Sequence, residues 1–282
     1  MSFAPSEKIL NEDGSIYHLH LHPHQVPDTI LLVGDPERVP KVSALFDEVS
    51  DRIHAREFHT HLGRIGATDL AVISTGIGTD NIDIVLNELD VLVNEERTQR
   101  KSLRIIRLGT SGSVNESLPV GTLVFSEFAI GTEGLMNFYD WEADVQEASL
   151  AKAFSVQVDS ISGVALPYAV EASLNHERWR NLADVAGITV TCNGFYAPQG
   201  RQMMAPTRTK NFLQEMAKFS WNDRRITNFE METSGILGLS KLMDHQAASY
   251  SAILANRQLG TFHPNPESVV RSMIERVLGE LG

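Results

Sequence analysis

Three features that would each indicate a particular class of protein are scarce in this sequence. Its 282 residues include one cysteine, Cys192, so an intramolecular disulfide is excluded and a reducing, cytoplasmic compartment is expected. No apolar run approaches the roughly 20 residues that a membrane-spanning helix needs. The opening stretch, MSFAPSEKIL, lacks the basic region and apolar core of a signal peptide. We therefore expect no membrane partner.

Basic charge is also scarce. Lysine and arginine together number 24 against 36 aspartate and glutamate residues, which leaves a formal net charge of −12 at pH 7. Because nucleic-acid binding requires a basic face, no nucleic-acid partner is expected. An acidic protein that binds an anion must do so through a local cluster of arginines.

What the sequence does contain is a series of short apolar segments, each followed by a loop with a glycine. Asp28 to Val33, Leu70 to Ser74 and Leu103 to Leu108 have the length and composition of buried strands. Apolar residues at helical spacing follow the first two of them. No linker, internal repeat or low-complexity tract divides the chain. These observations predict a single α/β domain over residues 1–282.

The residues after the third apolar segment form the clearest candidate site. Arg107 lies at the end of that predicted strand, where a guanidinium is costly to bury unless an anion meets it. Gly109 to Gly112 is predicted to be a turn that adds the hydroxyls of Thr110 and Ser111 to its backbone N–H groups. Ligands bind outside the carboxyl ends of strands in open α/β sheets. The pattern favours a phosphate or carboxylate site.

Two further strand-to-helix passages contain glycine. Gly34-Asp35-Pro36-Glu37-Arg38 would place Arg38 in the first turn of a helix, where an anion also binds well. A plain surface arginine explains this stretch equally well. The passage from Thr75 to Asn81 resembles half of a dinucleotide fingerprint, but Asn81 stands where the third glycine would be. We therefore do not expect NAD binding.

The loop from Asn193 to Arg201 combines three chemically different side chains. Phe195 offers a ring for stacking, Gln199 both donates and accepts hydrogen bonds, and Arg201 donates in a fixed fork. Together they could read the edge of a heterocycle that alternates carbonyl and N–H groups. An ordinary surface loop rich in glycine and proline is the alternative.

Later segments are interpreted as helices. The ranges Glu171 to Ala186 and Asn228 to Met243 are both predicted to be helical. Glu230 and Glu232 lie near the start of the second helix, where their charge would complement its dipole. Two carboxylates this close in sequence are poorly placed for glycosidase chemistry, which needs them on either side of the scissile bond.

Histidines alternate near the N-terminus, at His18, His20, His22 and His24. On a strand, the first three would share one face. A metal site is one interpretation. We favour a solvated polar segment, because no Cys, Asp or Glu lies beside them at ligand spacing.

Six motifs, taken together and in order, resemble the nucleoside phosphorylase superfamily, and within it the uridine phosphorylases. They are Gly34-Asp35-Pro36-x-Arg38, Arg56-Glu57-Phe58, Ser74-Thr75-Gly76-Ile77-Gly78, Arg107-x-Gly109-Thr110-x-Gly112, Phe195-Tyr196-x-x-Gln199-Gly200-Arg201 and Glu230-Met231-Glu232. The resemblance covers about residues 17–275. It implies a three-layer α/β/α fold around a mixed twisted sheet. It also implies a pentosyl transfer in which a nucleoside and inorganic phosphate give a free base and ribose 1-phosphate.

The resemblance further implies a role for each matched residue. Phosphate would be held by Gly34, Arg38, Arg107 and Thr110, with Arg56 reaching the phosphate in a neighbouring subunit. Ribose would be held by Thr110, Met231 and Glu232, and by His18 across a dimer interface. Uracil would stack on Phe195 and be recognised by Gln199 and Arg201. The catalytic set would be Arg107, Gln199, Arg201 and Glu232.

The same resemblance bears on assembly and cofactors. It implies a homodimer with sites shared across the interface, or a hexamer of such dimers, and a role in pyrimidine salvage and nucleoside catabolism. Phosphate would be a co-substrate, and no organic cofactor is expected. A monovalent cation between subunits would lie at Glu57, Ile77 and Asn81, although Asn81 replaces the serine of the bacterial pattern.

Substrate choice follows from a missing carboxylate. Purine-specific members place an aspartate after a late strand to protonate the base, whereas this chain has Ala255-Asn256-Arg257. Uridine is therefore the expected substrate, and deoxyuridine or thymidine could also be accepted. Phosphorolysis with another base, a nucleosidase reaction and a catalytically silent nucleoside-binding protein are the competing hypotheses. Arg38 and Arg107 argue against the nucleosidase, because water needs no pair of guanidinium groups.

Overall fold

The computed structural model describes residues 3–158, 166–208 and 211–282. Its strands are β1 (Thr29–Val33), β2 (Glu48–Ala55), β3 (Phe58–Ile65), β4 (Thr68–Ser74), β5 (Arg104–Ser113), β6 (Leu123–Gly131), β7 (Tyr168–Glu171), β8 (Val185–Thr191), β9 (Ser220–Trp221), β10 (Arg224–Glu230), β11 (Gln246–Asn256) and β12 (Thr261–Phe262). Its α-helices are α1 (Arg38–Ser43), α2 (Thr79–Asn94), α3 (Val145–Val158), α4 (Glu177–Arg180), α5 (Phe212–Lys218), α6 (Thr233–Leu242) and α7 (Pro266–Gly279).

The strands join in one mixed sheet. Their order is β2-β3-β4-β1-β5-β10-β8-β6-β11-β12, with β7 added to β6 and β9 added to β10. Strand β5 also pairs with β11 in parallel, so β5, β10, β8, β6 and β11 close into a ring. The α/β class with a central mixed sheet, predicted from the sequence and the resemblance, is confirmed.

Burial follows from helices that cover the sheet. Helix α6 packs against β6, β8 and β11, while α7 packs against β5 and β11 and α1 against β3 and β4. All five residues of β1 and all nine of β6 are therefore buried, as expected for strands with both faces covered. Large apolar side chains such as Tyr250, Phe125 and Phe128 fill the spaces between the layers.

The turn predicted at Gly109 to Gly112 is wrong. These residues continue the strand to Ser113, and the pairing with β11 runs from Arg104↔Gln246 to Ser113↔Asn256. The C-terminal part of β5 also meets β10, where Gly112 pairs with Phe229. Pairing with neighbours on both sides outweighs the local tendency of glycines to form a turn.

Two predicted helices also need correction. In the range Glu171 to Ala186, only Glu177–Arg180 is helical, and the range begins and ends in strands β7 and β8. The predicted helix from Asn228 to Met243 starts five residues late, at Thr233, because Asn228 to Glu230 pair with β8.

The N-terminal histidines do not share a strand face. His20 has a positive φ of 53° and directly follows the turn at residues 17–19. Within the described ranges, no group of three or more His, Cys, Asp and Glu side chains is arranged to hold a metal ion. In the same ranges, no helix has both the length and the apolar character needed to cross a bilayer.

Candidate active site

A cavity of about 760 Å³ lies at the carboxyl ends of several strands. Its lining includes Gly34, Arg38, Glu57, Ile77, Asn81, Arg107, Thr110, Phe195, Gln199, Arg201, Met231 and Glu232. The fold therefore brings together residues from six separated sequence motifs. A second cavity of about 820 Å³ lies at the amino ends of β1 and β5, and it contains none of the predicted site residues.

Arg107 reaches this cavity by lying along its own strand. Residues two apart on a strand share a face, so the side chain of Arg107 passes over Gly109. A Cβ atom on Gly109 would lie only 1.8 Å from Nη1 of Arg107 and 2.4 Å from its Cζ. The Arg-x-Gly spacing is thus a packing requirement, since only glycine leaves room for the guanidinium.

Two carboxylates hold the Arg107 guanidinium from one side. Nη2 donates to Oε2 of Glu232 at 2.6 Å and lies 3.1 Å from Oε2 of Glu230. Nη1 is buried and has no hydrogen-bond partner within the described part of the chain. Burial works to lower the pKa of Arg107, but Glu230 and Glu232 together outweigh it and hold that pKa above its ordinary value. Because a buried charged donor without a partner is costly, this edge suits an anionic ligand.

Arg38 supplies a second guanidinium at the same place. It is the first residue of α1, and its Nη1 donates to the carbonyl of Leu108 at 3.0 Å. Burial and then the nearby charge of Arg107 lower the pKa of Arg38. Two neighbouring positive charges repel each other, and an anion between them relieves that repulsion. Thr110 adds a hydroxyl to the lining of the same cavity.

Glu232 lies between this cationic pair and the start of α2. Its Oε1 accepts from the backbone N–H of Gly78 at 2.8 Å, and its Oε2 accepts from Arg107. Burial raises the pKa of Glu232, Arg107 opposes that shift, and the neighbouring Glu230 adds to it. Gly78 takes a φ of 100° to present this N–H, a conformation that favours glycine.

Sequence reasoning assigned Glu230 no role at the cavity, although it lines the cavity and is 4% exposed. Its carboxylate does accept backbone N–H groups at the start of α6, as a dipole interpretation would suggest. Its contact with Arg107 is between distant segments. The available signal was a pair of carboxylates, Glu230 as the last residue of β10 and Glu232 two residues later, at a strand end that meets the cavity.

The loop after β8 forms the opposite wall. Arg201 donates to Oε1 of Gln199 at 2.7 Å, and its guanidinium lies 3.6 Å from the centre of the Phe195 ring. Gln199 is 3% exposed, whereas Phe195 is half exposed. Burial and then Arg257 lower the pKa of Arg201 to about 10. At neutral pH Arg201 is therefore charged, and Phe195, Gln199 and Arg201 together line the cavity.

His18 and Arg56 lie outside the cavity lining and close to each other. Nδ1 of His18 is 2.6 Å from Oε1 of Glu88, and its ring packs edge-on against Tyr17. Nη2 of the exposed Arg56 donates to the hydroxyl of Tyr17 at 3.2 Å. The two residues that the resemblance assigns to a neighbouring subunit thus form one surface cluster with Tyr17.

The predicted cation ligands lie at one edge of the cavity. Nδ2 of Asn81 is 3.5 Å from Oε1 of Glu57, and Ile77 is 67% exposed. The cation itself stays a prediction.

The end of β11 contributes Ala255 to the cavity lining, whereas Asn256 is not part of that lining. Nδ2 of Asn256 donates to the carbonyls of Asn115 and Leu118 at 3.0 and 2.9 Å. Its Oδ1 accepts from the backbone N–H groups of Gln258 and Leu259. All the polar capacity of this side chain is therefore used inside the protein.

Comparisons with known proteins agree with this geometry. A family model described as the Phosphorylase superfamily matches residues 28–277. The uridine phosphorylase of Thermococcus kodakarensis is 28% identical over 99% of this chain and 92% of its own length. That of Escherichia coli is 25% identical over 90% of each. The structure of a Trypanosoma brucei nucleoside phosphorylase, described as showing uridine phosphorylase activity, covers 97% of this chain and 99% of its own with a TM-score of 0.86 and 27% identity.

Proposed function

We propose that this chain, which belongs to the phosphorylase superfamily, catalyses the reversible phosphorolysis of uridine to uracil and ribose 1-phosphate. The observation that carries the proposal is that Arg38 and Arg107 both line the cavity, and that the buried Nη1 of Arg107 has no hydrogen-bond partner among the residues the structure describes. The full-length relatives from Thermococcus kodakarensis and Escherichia coli support the choice of reaction and substrate.

Phosphate would bind between Arg38 and Arg107, with Thr110 and the backbone at Gly34 completing the site. The charged residues of the cavity lining are Arg38, Arg107, Arg201, Asp35, Glu57, Glu230 and Glu232. With three positive groups and four negative ones, the net charge of the lining does not attract a dianion. The attraction must therefore come from the guanidinium groups of Arg38 and Arg107 at close range. A further cation from outside the subunit would help. This supports the proposal that Arg56 of one subunit completes the phosphate site of another in a homodimer, alone or within a hexamer.

The reaction breaks the bond between C1′ of the ribose and N1 of uracil. A phosphate oxygen forms the new bond to C1′, the electron pair of the broken bond goes to uracil, and the base then takes a proton. Glu232 would hold the ribose hydroxyls beside Met231, and His18 of the neighbouring subunit would contact the 5′-hydroxyl. Holding the two reactants in line can contribute about 7–11 kcal/mol to lowering the barrier.

Negative charge develops on the uracil oxygens as the bond breaks. Gln199 and Arg201 would donate hydrogen bonds that strengthen as that charge grows, while Phe195 covers the ring. Groups that stabilise a developing anion are typically worth ~10²–10³ in rate each. Because Asn256 faces away from the cavity, no acid from this segment is available to a purine, which supports a pyrimidine substrate. Uridine is proposed first, with deoxyuridine and thymidine as further substrates.

An ultraviolet assay with and without inorganic phosphate tests the proposal. We expect uracil to be released from uridine only when phosphate is present, and ribose 1-phosphate to accumulate in equal amount. Release without phosphate would identify a nucleosidase, and tight uridine binding without turnover would identify a silent binding protein. Inosine and thymidine are assayed in parallel, and faster turnover of either one than of uridine would show a preference for another base. We also propose that the enzyme acts in pyrimidine salvage in the cytoplasm.

A further inference from the structure

Glu230 is a buried carboxylate on the floor of the cavity whose two oxygens meet donors from three segments. Oε1 accepts from the hydroxyl of Thr191 at 2.5 Å. Oε2 accepts from the backbone N–H groups of Glu232 and Thr233 at 2.9 and 2.8 Å, and lies 3.1 Å from Nη2 of Arg107. A carboxylate with this many donors is held in one position.

One side of Glu230 fixes the turn between β10 and α6. Its Oε2 binds the backbone on both sides of the bond between Glu232 and Thr233. Thr191, which donates to Glu230, in turn accepts from the backbone N–H of Ser234 at 2.9 Å. Three successive backbone N–H groups are therefore tied to the Glu230–Thr191 pair. The turn carries Glu232, so the direction of the Glu232 carboxylate depends on this pair.

The other side of Glu230 fixes Arg107. Glu230 and Glu232 both contact the single atom Nη2, and Gly109 lies beneath the guanidinium. Contacts on Nη2 from two carboxylates leave Nη1 as the guanidinium nitrogen that is buried and without a partner in the described part of the chain. Oε2 of Glu230 touches both the turn and Arg107, so one atom connects the two halves of the cavity.

We propose that Glu230 is a positioning residue that sets the Arg107 guanidinium at a fixed distance from the turn carrying Glu232. This inference rests on the proposed function, in which Arg107 binds phosphate and Glu232 binds ribose. Without Glu230 the two reactants are bound by parts that move independently. A misplacement of about 1 Å can cost ~10²-fold in rate. Loss of Glu230 therefore lowers kcat and phosphate affinity more than it lowers the stability of the fold.

Glu230→Gln is the test. The amide oxygen can still accept from the N–H groups of the turn, but the charge that anchors Arg107 is removed. We expect kcat to fall ~10²-fold and the KM for phosphate to rise about tenfold, with the KM for uridine changed by less than about threefold. Isothermal titration with inorganic phosphate alone should show about the same tenfold loss of affinity.

Glu127→Gln is the matched control. Glu127 is also 4% exposed and also accepts from an arginine, through Nε and Nη2 of Arg224 at 2.8 Å each, but it does not line the cavity. We expect this variant to lose thermal stability while both KM values and kcat stay within about twofold of wild type. Should Glu230→Gln fail to fold, Thr191→Val removes the hydroxyl that holds Glu230 and should give the same kinetic pattern more weakly.

The outcomes separate this inference from the proposed function. If Glu230→Gln and Thr191→Val resemble Glu127→Gln, with lower melting temperatures and unchanged kinetics, Glu230 is only structural. If wild type shows no phosphate-dependent turnover but binds phosphate, and Glu230→Gln binds it tenfold more weakly, the positioning role holds and the proposed reaction is wrong. Equal phosphate affinity in wild type and Glu230→Gln overturns the positioning role in either case.

Discussion

Replacing Gly109 with alanine adds one methyl group directly against the Arg107 guanidinium. The new Cβ would lie 1.8 Å from Nη1, 2.4 Å from Cζ and 2.8 Å from Nη2, whereas ordinary contacts are 3.4–4 Å. Gly109 is not among the glycines with positive φ, so the backbone itself tolerates alanine. The guanidinium must therefore retreat by about 1.6 Å, the difference between 1.8 and 3.4 Å.

A shift of that size is too large for the hydrogen bonds of Arg107 to be kept. The bond from Arg107 to Glu232 is 2.6 Å long and reaches the upper limit of about 3.2 Å after a shift of about 0.6 Å. Overpacking alone costs about 1–3 kcal/mol, and breaking a buried ion pair about 3–5 kcal/mol. If the guanidinium holds phosphate, we expect kcat/KM for phosphorolysis to fall by ~10²-fold or more.

Steady-state kinetics, phosphate titration and calorimetric melting of Gly109→Ala check this. Gly112→Ala is the matched control in the same strand, because its Cβ would meet Cγ and Cδ of the Arg257 side chain at 3.2 and 3.5 Å and the carbonyl oxygen of Ala255 at 3.8 Å. It should keep kcat/KM within a few-fold of wild type. Wild-type kinetics and melting temperature in Gly109→Ala would refute the described packing of Arg107.

Three further predictions address other parts of the molecule. Arg201→Ala should reduce uridine turnover far more than phosphate affinity, and equal losses in parallel assays would remove its assigned role. His18→Ala should lower kcat/KM only if sites are shared between subunits, so an active wild-type monomer in light scattering would contradict that assignment. Burial works to raise the pKa of Glu127, but Arg224 outweighs it and holds that pKa below 4.5. This carboxylate thus stabilises the fold above about pH 4.5 and loses that contribution as pH falls through the lowered pKa. Glu127→Gln should flatten the acid limb of unfolding, and an unchanged limb would contradict the shift.

Local pattern was sufficient where one segment determines its own structure. The strand expected at Asp28 to Val33 is found at Thr29–Val33, and the helix after it begins at Arg38, which therefore lies in the first turn as predicted. The uniformly apolar composition of the first and the helical spacing of the second come from residues that are near neighbours. Members of all six motifs line the cavity, because each motif lies in the C-terminal part of a strand or directly after it.

Local pattern failed where distant segments determine the structure. Gly109 to Gly112 has the composition of a turn, yet pairing with β11 and β10 keeps it extended. Glu230 was interpreted as a residue that complements a helix dipole, and its contact with Arg107 joins segments more than a hundred residues apart. Such contacts depend on how the sheet closes, and the spacing of side chains along the chain contains no signal for that closure.

The inward-facing amide of Asn256 limits how the choice of base could be re-engineered. Nδ2 faces two carbonyl oxygens, those of Asn115 and Leu118, so a carboxylate introduced at this position would meet two acceptors and no donor there. Its proton would be retained to satisfy those carbonyls, out of reach of a purine ring in the cavity. Giving this fold an acid for a purine would therefore require a different backbone path at the end of β11, because a single exchange of asparagine for aspartate leaves the carboxyl group pointing away from the cavity.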